Sequence, residues 1–521
     1  MSESQEKVET GASRDEALSV VEKIGYGLGD TASNLYWKLF ENFQLIFYTD
    51  VFGIGASAAA TMFFVTKLWD AINDPMIGFL SDRTRTAWGR FRPYLLWMSI
   101  PFAVTGMLTF YTPDLSPSWK LVYAYVTYTL VFTAYTAINI PYGALMGVIS
   151  SNSLERTSVS TYRFILAFVG GFFVQLFTLP MVEYFGGGTE TQVLNGIEKE
   201  VVIDPQTGFF WTVVCYAIAA VVLFTITFLT TKERVQPEEE SQSPFKQDVR
   251  DLLSNWPWVV LLFVGLFQIL AGWTRGSATG YYFSYFVEVG EVSYPILHQI
   301  ADYFPGFTKI VPNFLIGILE NPGSFGNFFA AGTVFSILGM FFTGFLSRLF
   351  GNKLLMILAI LGNAACMAAF FVLPKDQWQM MYLLHCLGAF VSGPMPILLW
   401  AMYADVADYS EWKNHRRATG LVFSAATFSQ KMGGALGSAV PGWALASFQF
   451  QEPINGVVQT QSETTIEGII LLMSVIPALF MCLSAGCMVF YNLNSEMLKK
   501  IEVDLRDRKA NSGDSLPASG D

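Results

Sequence analysis

The sequence predicts an all-α polytopic membrane protein, with 12 transmembrane helices in two pseudo-symmetric six-helix bundles. Three observations predict it. Charged residues make up only 14% of the 521, hydrophobic types make up 52%, and mean hydropathy is +0.41; soluble domains run near 25% charged. About twelve stretches reach the roughly 20 apolar residues that cross a hydrocarbon layer. They are 24–50, 58–81, 93–112, 120–149, 160–184, 209–231, 257–288, 325–348, 353–373, 378–403, 418–447 and 467–491. A hydrophilic break at 231–255 separates six spans from six, the layout of two repeats with a solute site near the midplane between them.

Taken along the chain, residues 1–22 are polar and acidic, with no apolar signal-peptide core, and read as a cytoplasmic N-terminal tail. Residues 23–231 form the first bundle, 232–255 the central cytoplasmic loop, 256–492 the second bundle and 493–521 a cytoplasmic C-terminal tail. Basic residues fix this orientation, because Lys and Arg near span ends stay on the cytoplasmic side. Arg83, Arg85, Arg90 and Arg92 follow the second span; Lys232, Arg234, Arg348, Lys353 and Lys413 follow later even-numbered spans. The net charge of −11 says little about function, since much of the acid lies in tails and loops. Two external segments are long. Residues 185–208, opening with Phe185-Gly-Gly-Gly188, read as a loop. The insertion 289–323 holds four prolines and reads as short amphipathic helices at the outer interface; an extra span is the alternative. The end of the tail, 510–521, is expected to be disordered. Cys215, Cys366, Cys386, Cys482 and Cys487 all fall in apolar spans without ligand spacing and read as packing residues.

The second span holds the most informative residues. Asp70 and Asp74 lie four apart in an apolar helix, hence on one face. Carboxylates in a membrane must be paired, protonated or wrapped round a cation. Asn73 adds a neutral ligand and Lys67 a neighbouring charge. A cation site, a proton site with a burial-raised pKa and a Lys67–Asp ion pair that only fixes packing are all open on these residues.

The first span carries Asp30, Asn34 and Lys38 as a stripe, with Glu41 beyond. It reads as the wall of an aqueous cavity or as a Lys38–Glu41 packing pair, whose spacing suits one. Thr136 and Asn139 share a face of the fourth span. Arg163, Arg275 and Lys431, the last near Thr427, fall in the fifth, seventh and eleventh spans. Intramembrane cations face interiors or aqueous paths, unless they snorkel at a helix end, an objection that bears most on Arg163. Together with Lys38 they would give a cavity a positive character suited to an anionic solute. On the cytoplasmic side, Arg83 and Arg90 in the first half and Asp405 and Asp408 in the second could pair to close an inner gate; otherwise the arginines only enforce topology. Enzyme readings fail, because the chain has three His without metal spacing and no phosphate-binding Gly-x-x-x-x-Gly-Lys loop.

The pieces Lys23-Ile-Gly-Tyr-Gly-Leu-Gly-Asp30, Tyr48-Thr-Asp-Val51, Trp69-Asp-Ala-Ile-Asn-Asp-Pro75, Trp88-Gly-Arg-Phe-Arg-Pro93, Asn139-Ile-Pro-Tyr142, Ala404-Asp-Val-Ala-Asp-Tyr-Ser-Glu-Trp-Lys413 and Lys431-Met-Gly-Gly434 run in order across nearly the whole chain. With them the sequence resembles the glycoside–pentoside–hexuronide:cation symporters, the melibiose-permease-like branch of the major facilitator superfamily. The resemblance implies the major facilitator fold and a cation site at Asp70, Asn73, Asp74 and Thr136, with Na⁺ favoured over H⁺. It also implies that Asn34, Asn139, Arg163, Thr427 and Lys431 line the sugar cavity. Positions 34 and 139 are Asp in the galactoside transporters, and a stacking Trp of that pattern is Gly143 here. With Lys38 and Arg275, these departures tilt the expected cargo toward a uronate or uronic-acid glycoside.

The expectation is therefore a monomeric inner-membrane symporter, without cofactor, nucleotide or nucleic-acid partner, that imports a sugar-like solute with a cation by alternating access. A lysolipid symporter and a non-transporting solute sensor are the alternatives.

Overall fold

The computed structural model describes residues 18–150, 153–194, 197–234, 254–288, 325–414, 419–452, 459–493 and 495–511. The expectations for the N-terminal tail, the central loop, the 289–323 insertion and the end of the C-terminal tail fall wholly or mostly outside these residues.

Among the described residues, twelve long helices or helix pairs follow in order, consistent with twelve crossings. They are α1 (Val20–Ile46), α2 (Ala56–Arg83), the pair α3 (Arg92–Trp97) and α4 (Ser99–Thr109), α5 (Pro117–Val148), α6 (Ser153–Phe185) and α7 (Pro205–Thr230). Then come α8 (Trp256–Tyr285), α9 (Phe325–Phe350), α10 (Asn352–Ala369), the pair α11 (Trp378–Ser392) and α12 (Pro394–Asn414), α13 (Thr419–Ser447), and the pair α14 (Glu463–Met473) and α15 (Val475–Val489). A polar helix, α16 (Ser495–Asn511), closes the chain. Among the described residues, 8 crossings are long and apolar enough to span a membrane by composition alone. The other four have physical reasons to fall short. The first two carry the charged residues singled out above, the third is broken at Met98, and α13 is rich in Gly and Ser.

One sequence expectation is corrected. The segment 185–208 is not simply a loop: Thr189–Leu194 and Ile197–Val202 pair as an antiparallel hairpin, from Thr189 opposite Val202 to Leu194 opposite Ile197. The signal was legible, since Asn195-Gly196 stands between two alternating stretches, the strongest short-range hairpin cue. Glu, Lys, Thr and Gln in the strands had masked it as ordinary loop polarity.

The chain divides into two compact units. The first comprises 1–239, 276–330 and 438–469; the second comprises 240–275, 331–437 and 470–521. In the first unit, α1 is packed tightly against α5, α6 and α7. An added Cβ at Gly29 would come within 2.7 Å of the Tyr142 ring, so only glycine permits this approach. The rings of Tyr26 and Tyr142 stack with centroids 4.6 Å apart. Each hydroxyl donates to the other residue's carbonyl, at 3.0 and 2.7 Å.

The end of this unit that holds the N-terminus is tied by charge. Arg234 grips Glu22 with both terminal nitrogens, at 2.6 and 2.8 Å. The Glu233 carboxylate accepts the backbone N–H groups of Arg90, Phe91 and Arg92 at 2.8, 2.8 and 2.9 Å. The turn it clamps contains Gly89 at φ +111°, a conformation that favours glycine. Lys23 pairs with Glu155 at 2.9 Å, and the Leu18 N–H donates to the same carboxylate at 3.1 Å.

In the second unit, α8, α10, α12 and α15 enclose a core that includes Val264, Met356, Ile360, Met402 and Met481. Buried polar side chains there bond to backbone. The Tyr403 hydroxyl donates to the Leu261 carbonyl at 3.2 Å and Ser484 to that of Val264 at 3.2 Å. Trp412 donates to Asp504 at 2.8 Å, which ties α16 to α12.

Two predictions follow from the charged end. Replacing Glu233 with Ala strands three backbone donors, and leaving such groups unsatisfied costs about 1–3 kcal/mol each where they are buried; thermal unfolding in detergent should show the loss. The hydrogen bond from Lys23 holds the Glu155 carboxyl below its ordinary range, with the Leu18 N–H and the Lys23 charge reinforcing it against desolvation. A depressed carboxylate contributes stability above its unfolded pKa of about 4.3, and that stability is lost as pH falls through the lower folded value. Glu155→Gln should therefore flatten the acid limb of the stability–pH curve and leave its neutral region's slope unchanged.

Candidate cation and solute site

The carboxylates of α2 are brought together by α5. Asp70 is 3% exposed, Asn73 4% and Lys67 5%, and Asp74 is partly buried. The Thr136 hydroxyl lies 2.6 Å from Asp70 Oδ1 and 3.2 Å from Asp74 Oδ1. One hydroxyl hydrogen thus serves two carboxylates, which converge on a single point. The Lys67 ammonium sits over the Phe132 ring at 3.8 Å and over Trp37 at 5.0 Å. With Lys67 counted, the cluster still carries one more formal negative than positive charge. The Asn73 amide nitrogen is buried in this region with no hydrogen-bond partner among the described residues. Turned about its last bond, the amide offers an oxygen instead. Carboxylate, hydroxyl and amide oxygens are the donor set of a hard cation. Among the described residues no cluster of three His, Cys, Asp or Glu exists, so a transition-metal cage has no counterpart here.

On α1 the stripe at 30, 34 and 38 is resolved into pairs. Arg163 Nε donates to Asp30 Oδ2 at 2.8 Å, and its guanidinium lies 5.2 Å from the Tyr142 ring. Arg163 therefore turns inward and does not snorkel, which answers the objection raised from sequence. The Asn34 amide donates to the Asp30 carbonyl at 2.9 Å and that of Asn139 to the Tyr135 hydroxyl at 3.1 Å. Lys38 pairs with Glu41 at 2.6 Å, the packing alternative that the spacing allowed. Trp37 and Tyr135 stack beside this stripe with centroids 5.9 Å apart.

The remaining candidates belong to the second unit. Arg275 is 8% exposed, with its guanidinium 4.5 Å from the Phe370 ring. Thr427 is exposed and Lys431 partly buried, four residues apart on α13. Arg83 and Arg90 lie in the first unit. The Arg83 guanidinium covers the Phe79 ring at 3.7 Å, and the backbone of Arg90 is held by Glu233. Asp405 and Asp408 are partly buried on α12 of the second unit. Asp30 was visible in sequence as part of the stripe, but its role as the partner of Arg163 was not, because the two are separated by 133 residues. Nothing in the sequence pointed to Trp37 or Tyr135.

The family described as MFS/sugar transport protein matches residues 25–297 and 310–495. The chain is 33% identical to the putative glycoside/cation symporter YagG of Escherichia coli, over 96% of this chain and 98% of that one. It is also 33% identical to the inner membrane symporter YicJ of Escherichia coli, over 95% and 97%. Identity to the isoprimeverose transporter of Lactiplantibacillus pentosus is again 33%, over 94% and 92%. Among solved structures, the fold is similar to a bacterial homologue of the human lysosomal transporter Spinster in an inward-facing, unoccupied conformation. The TM-score is 0.58 at 15% identity, over 96% of this chain and 98% of that one. A proton-dependent oligopeptide transporter aligns with TM-score 0.59 at 10% identity, over 94% and 100%. The chain is a multi-pass membrane transporter and not an enzyme, and it belongs to the MFS/sugar transport protein family.

Proposed function

We propose that this chain is a cation-coupled secondary symporter that imports a sugar by alternating access, as a monomer in the inner membrane with both termini in the cytoplasm. The observation that carries this reading is the convergence of Asp70 and Asp74 on the Thr136 hydroxyl. Bringing a cation to that point offsets the excess negative charge, and the solute groups of α1 and α6 belong to the same unit. Na⁺ is the favoured ion because the donor set is rich in oxygen and includes neutral ligands; H⁺ is the alternative. The printed names of the relatives, a putative glycoside/cation symporter and an isoprimeverose transporter, support sugar cargo. Arg83, Arg90, Asp405 and Asp408 are proposed to serve the cytoplasmic gate.

The acidic-sugar expectation treated Lys38, Arg163, Arg275 and Lys431 as a collective positive field. Two of those four are paired with carboxylates, Lys38 with Glu41 and Arg163 with Asp30. A compensated guanidinium is suited to the hydroxyls of a neutral glycoside more than to a carboxylate. The second reading, a uronide, is favoured by a 28% identical relative named as a glucuronide carrier protein homologue in Escherichia coli.

The ion and the solute should bind with a reciprocal coupling free energy, typically 5–150-fold in affinity. In titration calorimetry, Na⁺ should raise the wild-type affinity for the transported glycoside by such a factor, and Asp70→Asn or Asp74→Asn should erase the effect along with Na⁺-driven uptake in proteoliposomes. Wild-type-like accumulation by both mutants would sink the proposal. A thermal-shift series should separate the cargo readings: a saturating ligand at about 100 times its Kd contributes about 2.7 kcal/mol. Neutral xylosides and glucosides should stabilise the protein in Na⁺, and glucuronides should not.

A further inference from the structure

We propose that Thr49 and Asp50, at the end of α1, with Tyr281 and Tyr285 of α8 and Glu452, form a polar latch that must release for solute to enter. The inference rests on the alternating-access reading above. In the proposed topology this end of the protein, away from the termini, faces outward.

The latch begins with a local irregularity. After α1 the chain continues as a π turn, Phe47–Val51, in which one extra residue is taken up per turn; such turns concentrate at functional sites. The Phe52 N–H reaches back to the Phe47 carbonyl at 2.8 Å and that of Ile54 to the Tyr48 carbonyl at 3.0 Å. The consequence is that two successive polar side chains, Thr49 and Asp50, both engage the end of α8. The buried Thr49 hydroxyl lies 2.5 Å from the Tyr281 hydroxyl and 2.6 Å from Asp50 Oδ1. The Tyr285 hydroxyl donates to Asp50 Oδ2 at 3.0 Å. Both oxygens of Asp50 are therefore held by hydroxyl donors, and no basic side chain pairs with it among the described residues. Phe450 stands edge-on to both tyrosine rings, at 5.3 and 5.5 Å, and covers the cluster with apolar surface.

A second tie lies beside the first. The N-cap of α2 is Gly55, which has no side chain to cap the helix. The Ala56 N–H donates instead to the Glu452 carboxylate at 3.0 Å, from 396 residues away. A carboxylate at a helix N-terminus also gains from the helix dipole. An added Cβ at Gly55 would stand 3.1 Å from that carboxylate, so glycine leaves room for it. Trp443 Nε1 donates to the Thr61 hydroxyl at 3.1 Å. Every one of these ties joins the π turn after α1, or α2, to α8, α13 or the segment just after α13.

The chemistry suits a reversible closure. An apolar seal would expose hydrophobic surface when opened, whereas these hydroxyl and carboxylate bonds are exchanged for bonds to water at small net cost. A set of modest bonds can hold one state and still be outweighed when ligands favour the other.

The test uses full-length protein in lipid nanodiscs, spin-labelled at Ser116 and Ser447, both exposed near this end. Pulsed dipolar distance measurements need no sugar, so the result stands apart from the cargo and coupling assignments. Tyr285→Phe removes only one oxygen, and Asp50→Asn removes the charge. Each should raise the fraction of a longer-distance population at least twofold over wild type, with thermal unfolding nearly unchanged for Tyr285→Phe. Glu452→Gln, which weakens the second tie, should act in the same direction. Distance distributions that match wild type in both Tyr285→Phe and Glu452→Gln would overturn the latch, whatever becomes of the folding of Asp50→Asn.

Discussion

Much of this protein depends on one constraint: a membrane interior provides no water to solvate a carboxylate, so each one must be answered from within the chain. Thr136 meets both Asp70 and Asp74 with a single hydroxyl hydrogen, and Lys67 is the cation on their helix. By formal count Asp70, Asp74 and Lys67 carry one negative charge in excess, which is the charge the proposed coupling ion would balance. Glycines and stacked tyrosines fix α1 against α5, and Glu22, Glu155 and Glu233 hold the ends of the helices by ion pairs and backbone bonds.

The other intramembrane charges follow the same rule with a different outcome. Asp30 answers Arg163 and Glu41 answers Lys38, so neither cation contributes a full positive field. Arg163 is nonetheless positioned rather than neutral in effect. Its Nε edge is engaged and its ring-facing side lies over Tyr142, which orients the rest of the guanidinium fork. The same ion pair ties α6 to α1. At the opposite end from the termini, where Asp50 is held by hydroxyls instead of a cation, the bonds are of a kind that water can replace.

The apolar helical stretches, and the placement of charged residues within particular ones, were legible in the sequence, because apolar length and residue type act locally. That Asp70 and Asp74 share one face of α2 was legible from their spacing; Thr136 joined them only through the resemblance. The hairpin at Thr189–Leu194 and Ile197–Val202 was written in the chain, but polar strands conceal it from a reading tuned to apolar spans. The helix breaks in the third, tenth and twelfth crossings each lie one to three residues before a proline, Pro101, Pro394 and Pro477, whose ring nitrogen cannot donate back to the preceding turn; a hydropathy count passes over them.

By itself, then, the sequence determined the membrane class and which side chains would be costly in lipid. Only the tertiary structure decided which of those charges answer one another. Asp30 with Arg163 and Glu452 with the Ala56 N–H are separated by 133 and 396 residues respectively. Electrostatic and hydrogen-bond energies act over a few ångströms of space, and no periodicity within a single helix records which distant helix will supply the partner.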